Sequence, residues 1–297
     1  MGQDNNVKET FSIIKGWEVL KEDSIYTQKT MDIIAENLSG DARTILVEKG
    51  GKKLKLPVLF YDEEKFIKTP YHYLPYQRAE WYSEDTSLFW VVDRETQKLG
   101  KRIDALDIEG LGQEFPRGTN TVVIDLLGSV EETIEQYSGK FRKKVRKVNR
   151  GRGEFSFLPS TQEEEELLKD WSKYWNERDG YTIGTSKDYD LLQHWKTLDL
   201  DLTVESIYKG GNFIGLYVLL IVDGKAYGVW AAWKKWEYRR DIDFGYLVNL
   251  RRMELCIKRG IKELDLGSSF LAEHKERWAT RLVRHGSVGM GYKEVLE

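Results

Sequence analysis

Polar and apolar positions alternate along Leu202–Tyr208 and again along Phe213–Val222, a period of two that predicts paired strands. Lys209–Asn212, with Gly210 and Gly211 inside it, is the hairpin turn expected between them. Asp223–Lys225 turns the chain into a third strand, Ala226–Trp233. The period then becomes that of a helix, from about Tyr246 to Arg259, with Gly260 as its stop and Glu263–Leu266 as a further short strand. This order describes a mixed sheet with one helical crossover. It leaves a helix N-terminus beside an open sheet, where free N–H groups and the helix dipole favour an anionic ligand.

An earlier helix–strand–turn–strand stretch foreshadows the later one, Leu191–Val222. Tyr26–Leu38 reads as a helix capped by Thr27, with Met31, Ile34 and Leu38 on one face and Gly40 after it. Thr44–Val47 and Leu54–Phe60 are strands around the turn Lys49–Lys52. The repetition suggests two related halves. Ser83 or Asp85 caps a helix ending near Leu99, Ile103–Ile108 is a strand, and the glycine-rich Glu109–Thr119 is the best candidate linker. Beyond it come a strand, Thr121–Leu127, and a capping box, Ser129 with Glu132, that opens a helical stretch to Arg150 broken at Gly139. A helix capped by Ser160 or Thr161 reaches about Asn176, and Ser186 caps another, Tyr189–Leu198. After the mixed sheet follow a segment Leu271–Leu282 and a final strand, Val288–Glu294.

Composition narrows the class. The 297 residues suffice for one large domain or two ordinary ones, and 40% hydrophobic content predicts a packed core. A net charge of −3 gives no global pull toward nucleic acid or membrane, so any such attraction is local. The local candidate is the helix after Gly139, which carries Lys140, Arg142, Lys143, Lys144, Arg146, Lys147, Arg150 and Arg152 around a narrow stripe of Phe141, Val145 and Val148. One reading is a phosphate-contacting face for a CoA, a lipid phosphate or RNA. The other is a solvated helix facing the acidic run Glu163–Glu166. The single cysteine, Cys256, excludes an internal disulfide framework and a cysteine zinc site, and it reads as a core residue of its helix. The N-terminus has no apolar signal core and no run nears the span of a bilayer, so the expected location is cytoplasmic.

Most motifs for chemistry are absent. There is no Walker A lysine, no dinucleotide fingerprint, no HExxH and no GxSxG elbow. The histidines, His72, His194, His274 and His285, are scattered, so no metal site is expected. Ser268 and Ser269 near His274 match a nucleophile and base only by proximity in sequence. The aromatic run Tyr71–Tyr82 is either a groove wall or interior packing. There remain carboxylates near strand ends (Glu205, Asp241, Asp243, Asp265) and three tyrosines (Tyr208, Tyr227, Tyr246). In an open sheet crevice such groups can deprotonate or steady an amine, and elsewhere they are structural hydrogen-bond partners.

The basic helix Lys140–Gly151, the strand pair Ser206–Tyr217, the helix-to-strand join Lys258–Gly267 and Lys275 followed by Trp278 come in an order that resembles the BioF2-like and FemAB-like acyltransferases of the GNAT superfamily. The match is good from about Ser129 to Val288 and is one of layout before that. The resemblance implies an α+β (mixed α/β) protein of two tandem GNAT-like domains: a degenerate one over residues 1–118 and an acyltransferase domain over 119–297. It implies a cleft, where the second-half sheet splays near Tyr227–Trp233, in which a carrier-bound acyl group, on CoA or on tRNA, meets a small-molecule or peptide amine; the alternative is a non-catalytic GNAT-like binding protein. The roles it suggests are phosphate binding by Arg239, Arg240, Lys275, Arg142 and Arg146, and proton transfer or orientation by Glu205, Asp243 and Tyr227. The loop Lys234–Gly245 carries a single glycine where ordinary GNAT enzymes have a glycine-rich pyrophosphate loop.

Overall fold

The structure, a computed structural model, describes residues 8–21, 27–38, 41–60, 66–68, 79–100, 102–104, 120–170, 188–234, 238, 242–268 and 273–284. The chain divides into two compact units, one drawn from Met1–Thr119 with Arg284–Glu297, the other Asn120–Val283.

In the first unit five strands lie side by side in chain order: β1 (Glu9–Lys15), β2 (Asp41–Lys49), β3 (Lys52–Phe60), β4 (Phe66–Lys68) and β5 (Arg102–Asp104). The first four are antiparallel neighbours and the fifth runs parallel to β4. The helix α1 (Gln28–Leu38) separates β1 from β2, with Thr27 Oγ1 accepting the Thr30 N–H as its cap at 3.2 Å. Between β4 and β5 come α2 (Ala79–Tyr82) and α3 (Leu88–Lys98). The last of these starts later than its sequence signal. Ser83 and Asp85 spend their side chains on a turn, accepting the N–H groups of Asp85 and Ser87 at 3.1 and 3.0 Å. α3 lies on β1–β3, and Phe89 and Val92 on the helix and Ile45, Val47 and Val58 on the sheet are fully buried. Trp81 and Tyr82 are also buried, so the end of the aromatic run is interior packing.

The second unit is a seven-stranded sheet. In chain order its elements are β6 (Asn120–Asp125), α4 (Val130–Glu135), α5 (Gly139–Gly151), β7 (Phe155–Pro159), α6 (Gln162–Glu165), α7 (Asp188–Trp195), β8 (Asp201–Lys209), β9 (Asn212–Val222), β10 (Lys225–Trp233), α8 (Phe244–Lys258), β11 (Glu263–Ser268), α9 (Glu273–Glu276) and β12 (Arg281–Arg284). The spatial order is β12-β6-β11-β10-β9-β8-β7. β7 to β11 repeat the plan of β1 to β5, four antiparallel neighbours and then a parallel fifth reached through a helix. Ser129 Oγ accepts the Glu132 N–H as a cap, the reciprocal capping box forms at Thr161, and α5 starts at Gly139, whose φ of 51° suits glycine.

β9 is buried on both faces. Ile214, Tyr217 and Leu219 join the core beneath α8, with Val248, Met253 and Cys256, while Leu216 and Val218 join a smaller core with Leu168, Tyr189 and Leu192. Four strands had no sequence expectation: β1 and β4 in the first unit, and in the second β7, an edge strand of five residues, and β12, of four. The expected strand Val288–Glu294, the cap Ser186 and the helix end near Asn176 lie outside the described residues.

Candidate functional site

β10 and β11 are held together in parallel only at Ala226↔Leu264 and Tyr227↔Asp265. Past that point each strand follows its other neighbour. β10 stays paired with β9 as far as Trp233↔Gly215, and β11 is paired again with β6 at Ser268↔Thr121. Both ladders carry an irregularity just after the parting, between Gly228 and Ala231 on β10 and between Asp265 and Ser268 on β11. Such bulges increase local twist and turn a strand away from its neighbour. The result is a V whose vertex is Tyr227 with Asp265. Helix α8 begins at its open end, where the ring of Phe244 stacks on Trp233 at 5.1 Å and 3°.

At the vertex, Tyr227 and Asp265 are buried. Lys225 Nζ stands 3.7 Å from Asp265 Oδ2 and 5.5 Å from the centre of the Tyr227 ring. Asp265 Oδ1 accepts the Gly267 N–H at 2.6 Å. Lys275 Nζ donates to the carbonyl of Leu266, the first β11 residue past the pairing, at 3.2 Å. Burial lowers the Lys275 pKa, the nearby Arg252 lowers it further, and Asp265 opposes both.

Arg252 of α8 had no sequence expectation. Its Nη2 donates to the carbonyls of Val218 at 3.0 Å and Trp230 at 2.5 Å, on either side of the β9–β10 bulge. The guanidinium lies against Gly228, where an added Cβ would come within 2.7 Å of Nη1. Burial pulls its pKa down to about 10, which leaves it a cation at neutral pH.

Glu205, expected as a base, is engaged by other side chains. Arg251 donates Nε to Oε2 and Nη2 to Oε1, both at 2.8 Å, and Tyr217 Oη donates to Oε2 at 2.5 Å. Burial pushes this carboxyl up, but the hydrogen bonds from Arg251 and Tyr217 outweigh it and the net shift is downward. A carboxylate so held is a weak base and an anchor for α8.

Asp243 precedes α8 but makes no cap bond with its side chain. It pairs instead with Lys144 of α5 at 2.7 Å, and Lys144 also lies 4.4 Å from the centre of the Tyr246 ring. Beside them Tyr137, Phe141, Tyr246 and Trp278 form one aromatic cluster with centroid separations of 5.2–5.8 Å, so α5 is docked against the mouth of the V. Arg142 and Arg146 both pair with Glu135. Lys140, Lys143, Lys147 and Arg150 are exposed and have no ion-pair partner among the described residues. The reading in which the basic helix faces Glu163–Glu166 does not hold for these residues. Glu164 bonds Ser206 and Tyr208, Glu165 pairs with Lys196, and Glu166 with Lys169.

Arg239, Arg240, Asp241 and Ser269 lie outside the described residues, as does the side chain of His274. Burial raises the Cys256 thiol to about 12, as expected of a core cysteine. Among the described residues no group of three or more His, Cys, Asp or Glu side chains could hold a metal ion.

The family model of the acetyltransferase (GNAT) domain matches residues 136–281, which include every strand and helix of the V. Over those residues the chain is similar to the GNAT family. No curated protein matches the chain. Among solved structures it is similar to the crystal structure of FemX, at 13% identity and a TM-score of 0.52, over 92% of this chain and 96% of that one. That likeness extends the shared fold across both units. A protein described as the C-terminal domain of a lysylphosphatidylglycerol synthetase from Agrobacterium fabrum is similar at 14% identity and a TM-score of 0.49, over 88% and 90% of the two chains. A tandem GNAT protein from the clavulanic acid biosynthesis pathway is similar at 6% identity and 0.45, over 94% and 96%. Neither of these two adds weight to the fold assignment.

Proposed function

We propose that this GNAT-like domain is an N-acyltransferase that moves an acyl group from an activated carrier, a CoA thioester, to the amine of a small molecule or peptide. The observation that carries the reading is the end of strand pairing at Tyr227↔Asp265, with α8 starting at the open end of the V. The carrier enters from that end. Its phosphates meet the N-terminus of α8 and, in this reading, Arg239 and Arg240, while Lys275 sits deeper, on the Leu266 carbonyl. The acyl carbonyl lies along β10, where backbone N–H groups released from β11 are placed to receive the negative charge that develops on oxygen. The amine nitrogen attacks the carbonyl carbon, the carbon–sulfur bond breaks, and the amine proton leaves as the thiolate is released. Asp243 at the mouth or Tyr227 at the vertex orients the amine or relays its proton. Glu205 contributes through Arg251, by fixing α8.

A second reading has a specific observation behind it. The exposed Lys140, Lys143, Lys147 and Arg150 form a cationic face on a helix docked at the mouth. Such a face suits the backbone of an aminoacyl-tRNA, with Arg142 and Arg146 at its edge. Thermal shift against a panel of CoA thioesters and against aminoacyl-tRNA separates the two. Stabilisation by a thioester in proportion to its affinity supports the first reading. Stabilisation by aminoacyl-tRNA alone, lost steeply with salt, supports the second.

A further inference from the structure

Among the described residues Arg252 is a buried cation without a counter-ion. Both hydrogens of Nη2 are used on Val218 and Trp230, and the buried Nε–H has no acceptor among the described residues. No carboxylate pairs with it among those residues, and the face of the Tyr217 ring lies 5.5 Å from Cζ. The second cation, Lys275, lies close enough to repel it. Two carbonyls at a bulge need donors but do not need a charge, and an uncompensated charge inside a protein is costly. Its position is specific. The guanidinium lies against Gly228, the first β10 residue past the vertex.

We propose that the inner end of the V is a carboxylate-binding site, with Arg252 as the counter-charge that selects a substrate bearing a carboxylate. This rests on the reading that the V seats a carrier-bound acyl group. Gly228 lies five residues inward of Trp233, about 16 Å at the rise of a strand. Carrier phosphates held at the start of α8 are therefore out of reach, and what arrives at Arg252 is the small end of a substrate. Two sources share this chemistry: an acyl group ending in a carboxylate, or an amine acceptor that is an amino acid. Either gives the guanidinium, whose Nε–H is unpartnered among the described residues, an anionic acceptor, and charge-assisted bonds of this kind are the strong ones.

The test uses the full chain, with Arg252→Gln to remove the charge and Gly228→Ala to displace the guanidinium while keeping it. The binding arm compares succinyl-CoA with butyryl-CoA by calorimetry. The acceptor arm compares alanine with ethylamine, using labelled acetyl-CoA. A third arm follows melting temperature with free succinate. At least a tenfold preference for succinyl-CoA, lost in both variants while butyryl-CoA affinity is kept, assigns the carboxylate to the acyl group. The same pattern for alanine assigns it to the acceptor. If no thioester binds but succinate stabilises the wild type and neither variant, the CoA carrier is wrong and the carboxylate site stands. Equal use of charged and uncharged probes in the wild type, or a preference that survives both substitutions, overturns the proposal.

Discussion

Glu205 receives three hydrogen bonds, from Arg251 and Tyr217, and its pKa is lowered on folding. An unfolded glutamate titrates at about 4.3, so the stabilisation is fully present above that pH and is lost as pH falls through the lower folded value. Glu205→Gln is expected to lower the urea midpoint at pH 7 and to narrow the difference in stability between pH 7 and pH 3. An unchanged difference would show that Arg251 holds α8 without this carboxylate. Little of this was legible in the sequence. Arg251 lies 46 residues from Glu205, and nothing local links them. Arg252 did leave a signal. It falls four residues after Val248 and four before Cys256, on the apolar face of the helix, where a charge requires an explanation.

At the scale of elements, caps and turns were the most legible parts because they are local. Thr161 and Glu164 form a reciprocal capping box, and Thr161→Ala should cost about 1 kcal/mol in chemical denaturation. Gly215 had no such signal. A Cβ there would strike the Ala232 carbonyl and approach Trp233 Cα at 2.7 Å, so the contact is with strand backbone that cannot swing aside. Gly215→Ala is therefore expected to cost about 1–3 kcal/mol and to separate β9 from β10. A melt unchanged from the wild type would mean the strands have slack. The alternating strands β8 and β9 were readable as a pair, and the helix α8 with its glycine stop was readable to within two residues of each end. β7 and β12 were not, because edge strands of four or five residues carry too short a pattern to register. Their partners are chosen by the sheet.

For the molecule as a whole, a net charge of −3 coexists with one cationic helix face. Replacing Lys143 and Lys147 by glutamate removes the face without touching an ion pair among the described residues, so melting should change by less than about 0.5 kcal/mol. If α5 meets tRNA, affinity and its salt slope fall together, and if the carrier is CoA, thioester binding is nearly unchanged. The repeated plan of β1–β5 and β7–β11 was foreshadowed by one helix followed by a hairpin, whereas the V was expected only through the family resemblance, since divergence depends on what each strand pairs with on its far side. Backbone hydrogen exchange, measured with and without the thioester or aminoacyl-tRNA that stabilises the protein most, tests the V directly. The account predicts protection concentrated in Val229–Trp233 and the first turn of α8. Protection elsewhere with those amides unchanged, or no protection with any activated acyl carrier, would contradict it.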